Sequence, residues 1–111
     1  MARIAIPVTT ISRDGVTGAA AVVGDPVEGH SVPNVGRVIV EVANVGTTTD
    51  HTVTFVTQAT VDGFDVADRT KLIPFGETHY FADFPASAYG RELHIDVDNA
   101  ELELRAYAYP A

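Results

Sequence analysis

The sequence contains no cysteine and no tryptophan among its 111 residues. Without cysteine the chain cannot form disulfide bonds, a thiolate zinc site or a cysteine nucleophile. Without tryptophan it lacks the planar platform that carbohydrate-binding sandwiches often display. Bases are scarce as well: seven Lys/Arg stand against fifteen Asp/Glu, for a formal charge of −8. Such a surface disfavours nonspecific binding to nucleic acid or to an anionic membrane, so we expect neither as a partner.

Long apolar runs are also missing. No stretch approaches the roughly 18 apolar residues of a membrane helix. The run Ile4-Ala5-Ile6, followed by Pro7, is too short for the core of a signal peptide. We therefore expect a soluble chain made in a cytoplasm. Its length fits one domain over residues 1–111.

What is abundant is β-branched side chains. Valine, threonine and isoleucine make up almost a third of the chain, which favours strands over helices. Apolar and polar residues alternate with period two in several segments, the mark of strands with one buried face. The predicted fold is an all-β antiparallel sandwich, either jelly-roll or immunoglobulin-like. Ten inward positions should form its core: Val38, Val40, Val42, Val53, Phe55, Leu93, Ile95, Val97, Leu102 and Leu104.

Turn residues separate these segments. Asn44-Val45-Gly46 predicts a hairpin connection between two antiparallel strands. Asp62-Gly63 predicts a tight hairpin that joins Ala59–Val61 to Phe64–Val66. Pro74-Phe75-Gly76 predicts a further corner. A weaker alternation over residues 78–84 places one set of side chains on a common face: Tyr80, Ala82 and Phe84.

The N-terminal part follows a different pattern. Arg3–Thr9 predicts a first strand, whereas residues 12–35 are rich in glycine and show no steady period. Long irregular connections are uncommon in compact domains and are often functional. Two interpretations of residues 1–35 stay open: a first strand followed by a long surface loop, or an arm that leaves a sandwich formed by residues 36–110.

Sites for catalysis or metal binding are weakly indicated. The four histidines (His30, His51, His79 and His94) are dispersed, and surface or rim positions are more common for such residues than ligand positions. Asp62, Asp65 and Asp68 could hold calcium, but they lack the spacing of an EF-hand loop. None of the three serines lies in a nucleophile elbow. We expect no enzyme, no catalytic residues, no cofactor and no bound metal.

Four stretches in order carry a family resemblance: residues 36–44 (GRVIVEVAN), 62–66 (DGFDV), 72–78 (LIPFGET) and 84–90 (FPASAYG). Together they resemble small capsid decoration, or cement, proteins and related virion structural proteins of tailed actinobacteriophages and prophages. The resemblance covers residues 30 to 110, and its motifs are turns and strand faces. It implies a small β-sandwich that binds the outer surface of a capsid.

The resemblance also implies a partner and a location. The partner would be the major capsid protein on the exterior of the virion, and the domain would form a homo-oligomer there, with a trimer as the first expectation. On the arm interpretation, the predicted capsid contacts are Arg3, Ile4, Ile6, Ile11 and Arg13. The alternatives are a tail or head–tail connector component, and a carbohydrate-binding or adhesion module.

Overall fold

The computed structural model describes residues 3–65 and 67–109, and for Asp65 the backbone alone. The strands are β1 (Ile4–Ala5), β2 (Val8–Thr10), β3 (Val22–Val23), β4 (His30–Pro33), β5 (Val38–Asn44), β6 (His51–Val56), β7 (Thr60–Val61), β8 (Phe64–Asp65), β9 (Arg69–Ile73), β10 (Thr78–Ala82), β11 (Glu92–Val97) and β12 (Leu102–Ala108). The one short helix of this part of the chain is α1 (Ala86–Tyr89). No helix in the described ranges is long and apolar enough to cross a membrane.

Two sheets pack face to face around the core. The first, sheet A, has the order β1-β4-β11-β6-β9. The second, sheet B, has the order β10-β5-β12-β2, and β3 also pairs with β12. A separate two-stranded ribbon is formed by β7 and β8. The molecule is therefore a mostly-β sandwich, as the alternation predicts.

The core between the sheets agrees closely with the predicted one. All ten predicted core residues are at most 5% exposed. Strands β5, β6, β11 and β12 alternate strictly between buried and partly exposed positions, apart from Glu92 at the start of β11, which is fully exposed. The charged side chains of β12 lie on the outer face, and its leucines lie on the inner face. A shift of the strand pairing by one residue would bury the charged side chains in place of the leucines. The prediction of these strand faces is confirmed.

The sheets are mixed and not purely antiparallel. Both exceptions involve the N-terminus: β1 runs parallel to β4, and β2 runs parallel to β12. The predicted single strand Arg3–Thr9 is split at Ile6 and Pro7, so that its halves pair with different sheets. Proline supplies no backbone N–H for a ladder, which suits the point where the chain leaves one sheet for the other.

Residues 12–35 are more ordered than their composition suggests. They contain β3 and β4, and Val32 of β4 is fully buried in the core. Residues 36–110 therefore do not form the sandwich alone, as the arm interpretation assumes, because residues 3–35 contribute strands to both sheets. The strands within this segment, β3 and β4, are only two and four residues long. A period-two alternation cannot be recognised over so few positions.

The connection at Asn44 is also different from the predicted hairpin. Strands β5 and β6 lie in different sheets, so residues 45–50 form a corner between the layers. The buried Asn44 side chain donates from Nδ2 to the carbonyls of Thr49 (3.0 Å) and Ile73 (2.9 Å). Its Oδ1 accepts from the Gly46 amide at 3.0 Å. A fully satisfied buried amide can hold such a corner at little cost.

The predicted Asp62-Gly63 hairpin is confirmed. Asp62 and Gly63 have φ of 53° and 80°, the positive values that a type I′ turn requires. Val66, at the end of the predicted second strand, lies outside the described residues. In the predicted 78–84 segment, Asp83 has φ of 69°, which interrupts the alternation. Phe84 therefore turns into the core instead of sharing the exposed face of Tyr80 and Ala82.

Candidate functional site

The two sides of the sandwich, where the edges of the sheets meet, are built differently. We call the edge formed by β1, β2 and β3 the closed side, and the edge formed by β9 and β10 the open side. At the closed side, short pieces of chain pair with both sheets. At the open side, β9 pairs only with β6 and β10 only with β5 among the described residues. The open side thus offers two strand edges with unused backbone hydrogen-bonding groups.

On the closed side, the chain itself fills the gap between the sheets. Ile6, between β1 and β2, is 1% exposed and belongs to the core. Next to it, residues 19 and 20 lie against the outer face of sheet B, where the Ala19 amide donates to Thr9 Oγ1 at 3.3 Å. Arg3 fixes this segment by donating from Nη1 to Asp96 Oδ1 at 2.6 Å. This side is sealed.

On the open side, a cluster of aromatic rings reaches the surface. Phe55 lies at the centre, with ring centroids 4.8 Å from Phe81 and 5.0 Å from Phe84. Phe84 in turn meets Tyr89 edge-on at 5.3 Å. A cleft of about 500 Å³ opens over Phe81, Phe84 and Tyr89 and extends to Arg69 of β9. Its lining combines these aromatic side chains with the charged residues Arg69 and Asp83.

A second cleft of about 410 Å³ adjoins the first. It shares Arg69 and Tyr89 with it and continues past Asp68 and Ala88. We call the two together the open-side cleft. Its position is between β9, the end of β10 and α1.

Arg69 and Lys71 provide positive charge beside this cleft. In the register of β9 against β6 they face Phe55 and Val53, so both project from the inner face of an edge strand. Both side chains are nevertheless exposed. Neither forms an ion pair with any residue of the described ranges. Inward-facing charges on an edge strand also discourage edge-to-edge aggregation.

The floor of the open-side cleft is anchored by two amide side chains. Asn34 Nδ2 donates to the carbonyls of Phe84 (2.8 Å) and Gly90 (3.0 Å). Gln58 Nε2 donates to the carbonyls of Tyr89 (2.6 Å) and Glu92 (2.7 Å). The aromatic rings are therefore held by a braced backbone, which reduces the entropy cost of binding a ligand.

Acidic groups also border the open-side cleft. Asp68 Oδ1 accepts from the backbone amide of Thr57 at 3.0 Å and lies 3.2 Å from its hydroxyl. Asp83 lines the far end and has φ of 69°, a left-handed conformation that aspartate adopts more readily than most residues other than glycine.

The predicted capsid contacts lie on the closed side. Ile6 is in the core and is not available to a partner in the folded domain. Arg3 is engaged with Asp96. Ile4, Ile11 and Arg13 are exposed, and Ile11 and Arg13 belong to the irregular segment after β2. The structure therefore leaves three of the five residues accessible.

Two of the four histidines are buried, so their predicted surface placement is wrong. His30 is fully buried; its Nε2 accepts from the Asp25 amide at 2.9 Å, and its Nδ1 has no hydrogen-bond partner among the described residues. His51 donates from Nε2 to Glu101 at 2.7 Å. His79 shares the inner face of β10 with Phe81 and is not outward, whereas His94 is partly exposed on sheet A.

Burial changes the titration of His30. Desolvation lowers the pKa of its imidazole, although the Ile4 backbone and the Asp25 carboxylate oppose this effect. Asp25 itself accepts from the amides of Glu28 and Val27, which lowers the pKa of its carboxyl. These groups brace the turn before β4.

No group of three or more metal-ligating side chains comes together within residues 3–65 and 67–109. Of the predicted calcium ligands, Asp62 lies in the hairpin turn and Asp68 accepts the Thr57 hydrogen bonds. The side chain of Asp65 lies outside the described part.

The open-side cleft escaped sequence analysis because its residues come from four separate segments. The signal that could have revealed it is the pair Arg69 and Lys71 in a chain with few bases. Comparison with known proteins adds no assignment, because no protein-family model, curated protein or solved structure matches this chain.

Proposed function

We propose that the protein is a non-enzymatic virion structural protein, a capsid decoration protein that binds the outer surface of a major capsid protein shell and stabilises it. The observation that carries the proposal is the set of four stretches that resemble such proteins. They fall on β5, on the β7–β8 turn, on the β9–β10 corner and on the segment at α1. Two of them border the open side: residues 72–78 join β9 to β10, and residues 84–90 contribute to the open-side cleft.

Strand order supports the proposal. Sheet B contains the order β3-β12-β5-β10, and sheet A contains the order β4-β11-β6-β9. When these eight strands are counted from one to eight along the chain, the two orders are one-eight-three-six and two-seven-four-five. This is the jelly-roll order, which we infer in preference to the immunoglobulin-like one. Jelly rolls occur in viral capsid domains and in lectins.

Charge and composition support the same function. A disulfide-free domain can be made in the cytoplasm of a host, and a net charge of −8 keeps many copies apart in solution. On the capsid we propose a homo-oligomer, with a trimer as the first expectation. No cofactor is part of the proposal.

The test uses particles of the phage or prophage that encodes the chain, assembled without it. Purified full-length protein is added, unbound protein is removed, and bound copies are counted by quantitative mass spectrometry. Saturation at many copies per particle, with raised resistance of the shell to heat, supports decoration. Saturation at a few copies supports a tail or head–tail connector component, and no binding overturns the proposal.

A carbohydrate-binding or adhesion module is the second candidate, favoured by one surface. Tyr80, 65% exposed, lies on the outer face of sheet B beside the ion pair of Arg105 Nη1 with Glu41 Oε2, 2.9 Å apart. The Glu41 carboxylate beside it raises the pKa of the Tyr80 hydroxyl. Glycan-array binding in the absence of capsids, abolished by Tyr80→Ala, would favour this candidate.

A further inference from the structure

We propose that the open-side cleft binds an extended acidic segment of a partner protein, which adds as a strand to the edge of β9. One apolar side chain of the segment packs over Phe81, Phe84 and Tyr89, and a carboxylate two residues away pairs with Arg69. The inference rests on the proposed function only for the identity of the partner as a capsid protein.

The backbone of β9 is available for pairing along one edge. Strand β9 is five residues long and its outer edge pairs with nothing in the described ranges. Strand addition to such an edge is a common mode of peptide recognition, in which main-chain bonds give affinity and alternate side chains give specificity.

The aromatic rings and Arg69 of the cleft face the inner side of a strand added to β9. Side chains two apart on an added strand point to the same face. On the inner face they meet the aromatic rings at one position and Arg69 at another, since Arg69 lines both parts of the cleft. A guanidinium without an ion pair prefers a carboxylate, with which it forms two parallel hydrogen bonds.

The closed side of the same molecule already binds an extended segment in a similar way. On the closed side an extended segment pairs with both sheets and places Ile6 between them. That segment also carries a charged side chain, Arg3, which pairs with Asp96 of the sandwich. On the open side the base belongs to the sandwich, so the complementary segment carries the acid.

A second copy of this chain fits the open-side cleft less well. Antiparallel pairing of β9 with β9 of another copy would bring Arg69 and Lys71 against the same bases, and like charges across a ladder are destabilising. The segment that fills the closed side carries Arg3 and Arg13, which Arg69 would repel. An acidic segment of a different protein avoids both conflicts when its carboxylate lies at Arg69 and away from Asp68 and Asp83, which also line the cleft.

The test begins with a displayed library of ten-residue peptides selected on the full-length protein. We expect enriched peptides with Asp or Glu two residues from an apolar side chain, and amide chemical shifts that change at residues 69–73 and 80–90. Arg69→Glu should weaken an enriched peptide about tenfold or more. Arg13→Glu, the matched control on the closed side, should leave the affinity unchanged, and an acid-to-lysine peptide should regain affinity for Arg69→Glu.

Several outcomes would overturn the inference. These are the absence of any enriched peptide, equal affinity for Arg69→Glu, or shifts confined to residues 3–23. A dimer that dissociates when the peptide is added would assign the cleft to a second copy and would also overturn it.

The same variants separate this inference from the proposed function. If the wild type binds particles and Arg69→Glu binds equally well, the inference fails and decoration stands. If the wild type selects acidic peptides through Arg69 but ignores particles, decoration fails and the peptide site stands.

Discussion

The closed and open sides of this sandwich are two solutions to one problem. On each side of the sandwich, the edge strands of the two sheets lie next to each other, and the gap between them must be filled or left open. On the closed side the chain supplies β1, Ile6 and β2, and it ties them down through Arg3 and Asp96. On the open side the outer edges of β9 and β10 have no strand partner among the described residues, and Phe81 of the aromatic cluster is partly exposed. The closed side contributes to the stability of the fold, whereas the open side is the surface that we propose for binding.

The difference shows which segments can be removed and which can be altered. An arm that grips a partner can be trimmed without unfolding the domain. The N-terminal segment cannot, because it supplies a buried side chain and strands to both sheets. By contrast, exposed charges on β9 can change with little effect on the fold.

The largest expected effect concerns the closed side. Ile6→Ala should lower the free energy of unfolding by about 2–5 kcal/mol, because it opens a cavity in the core. Ile4→Ala is the matched control at an exposed position two residues earlier, and its loss should stay below about 1 kcal/mol. Urea denaturation of both variants would measure the difference, and equal losses would contradict the sealed closed side.

The next effect concerns the floor of the open-side cleft. Asn34→Ala removes the donor to the carbonyls of Phe84 and Gly90. We expect a loss of about 1–3 kcal/mol, since partly buried carbonyls lose their partner. The aromatic cluster should also loosen, which near-ultraviolet circular dichroism would report. A variant with wild-type stability and spectrum would show that the cleft is not braced by this residue.

His30 predicts a pH effect on the closed side. Its folded-state pKa is lowered, so below the usual histidine value of about 6.5 the unfolded chain takes up a proton that the folded chain does not. Stability should be full above that value and fall as the pH decreases through it, by at most about 1.4 kcal/mol per pH unit for one proton. The charged neighbours Arg3, Asp25 and Asp96 modulate the same equilibrium.

The measurement is urea denaturation of the wild type and of His30→Gln between pH 7.5 and 5 (values chosen to span about 6.5). The slope should disappear in His30→Gln and persist in His94→Gln, which removes a partly exposed histidine of the same sheet. Identical slopes in all three proteins would rule out His30 as the cause.

The smallest effect is expected on β9. Arg69→Glu should change the free energy of unfolding by no more than about 0.5 kcal/mol, because the side chain is exposed and has no ion pair with a described residue. Thermal unfolding would check this. A large loss would mean that Arg69 serves the fold, and the argument for a free binding group would fail.

The long strands can be predicted from the sequence, whereas the short strands of the N-terminal part cannot. In β5, β6, β11 and β12 six or seven consecutive residues alternate, enough for the period to identify the inner face. The pieces β1, β2 and β3 have two or three residues each, too few for any period. Their pairing is decided by long-range contacts with β4 and β12.

The candidate site depends even more on tertiary structure. Arg69, Phe81 and Tyr89 come together only because β9 and β10 lie at one side of the sandwich and α1 follows them. Local pattern also fails at Asp83, whose left-handed backbone turns Phe84 inward. The turn residues at Asn44 predict a hairpin because the same residues also suit a corner between two sheets.

The most direct test of the open side as the binding side is hydrogen exchange of the full-length protein, free and bound to particles assembled without it. We expect new protection at residues 69–73 and 78–90, and unchanged exchange at residues 11–23. Protection confined to residues 3–23, with residues 69–73 exchanging as in the free protein, would contradict this account.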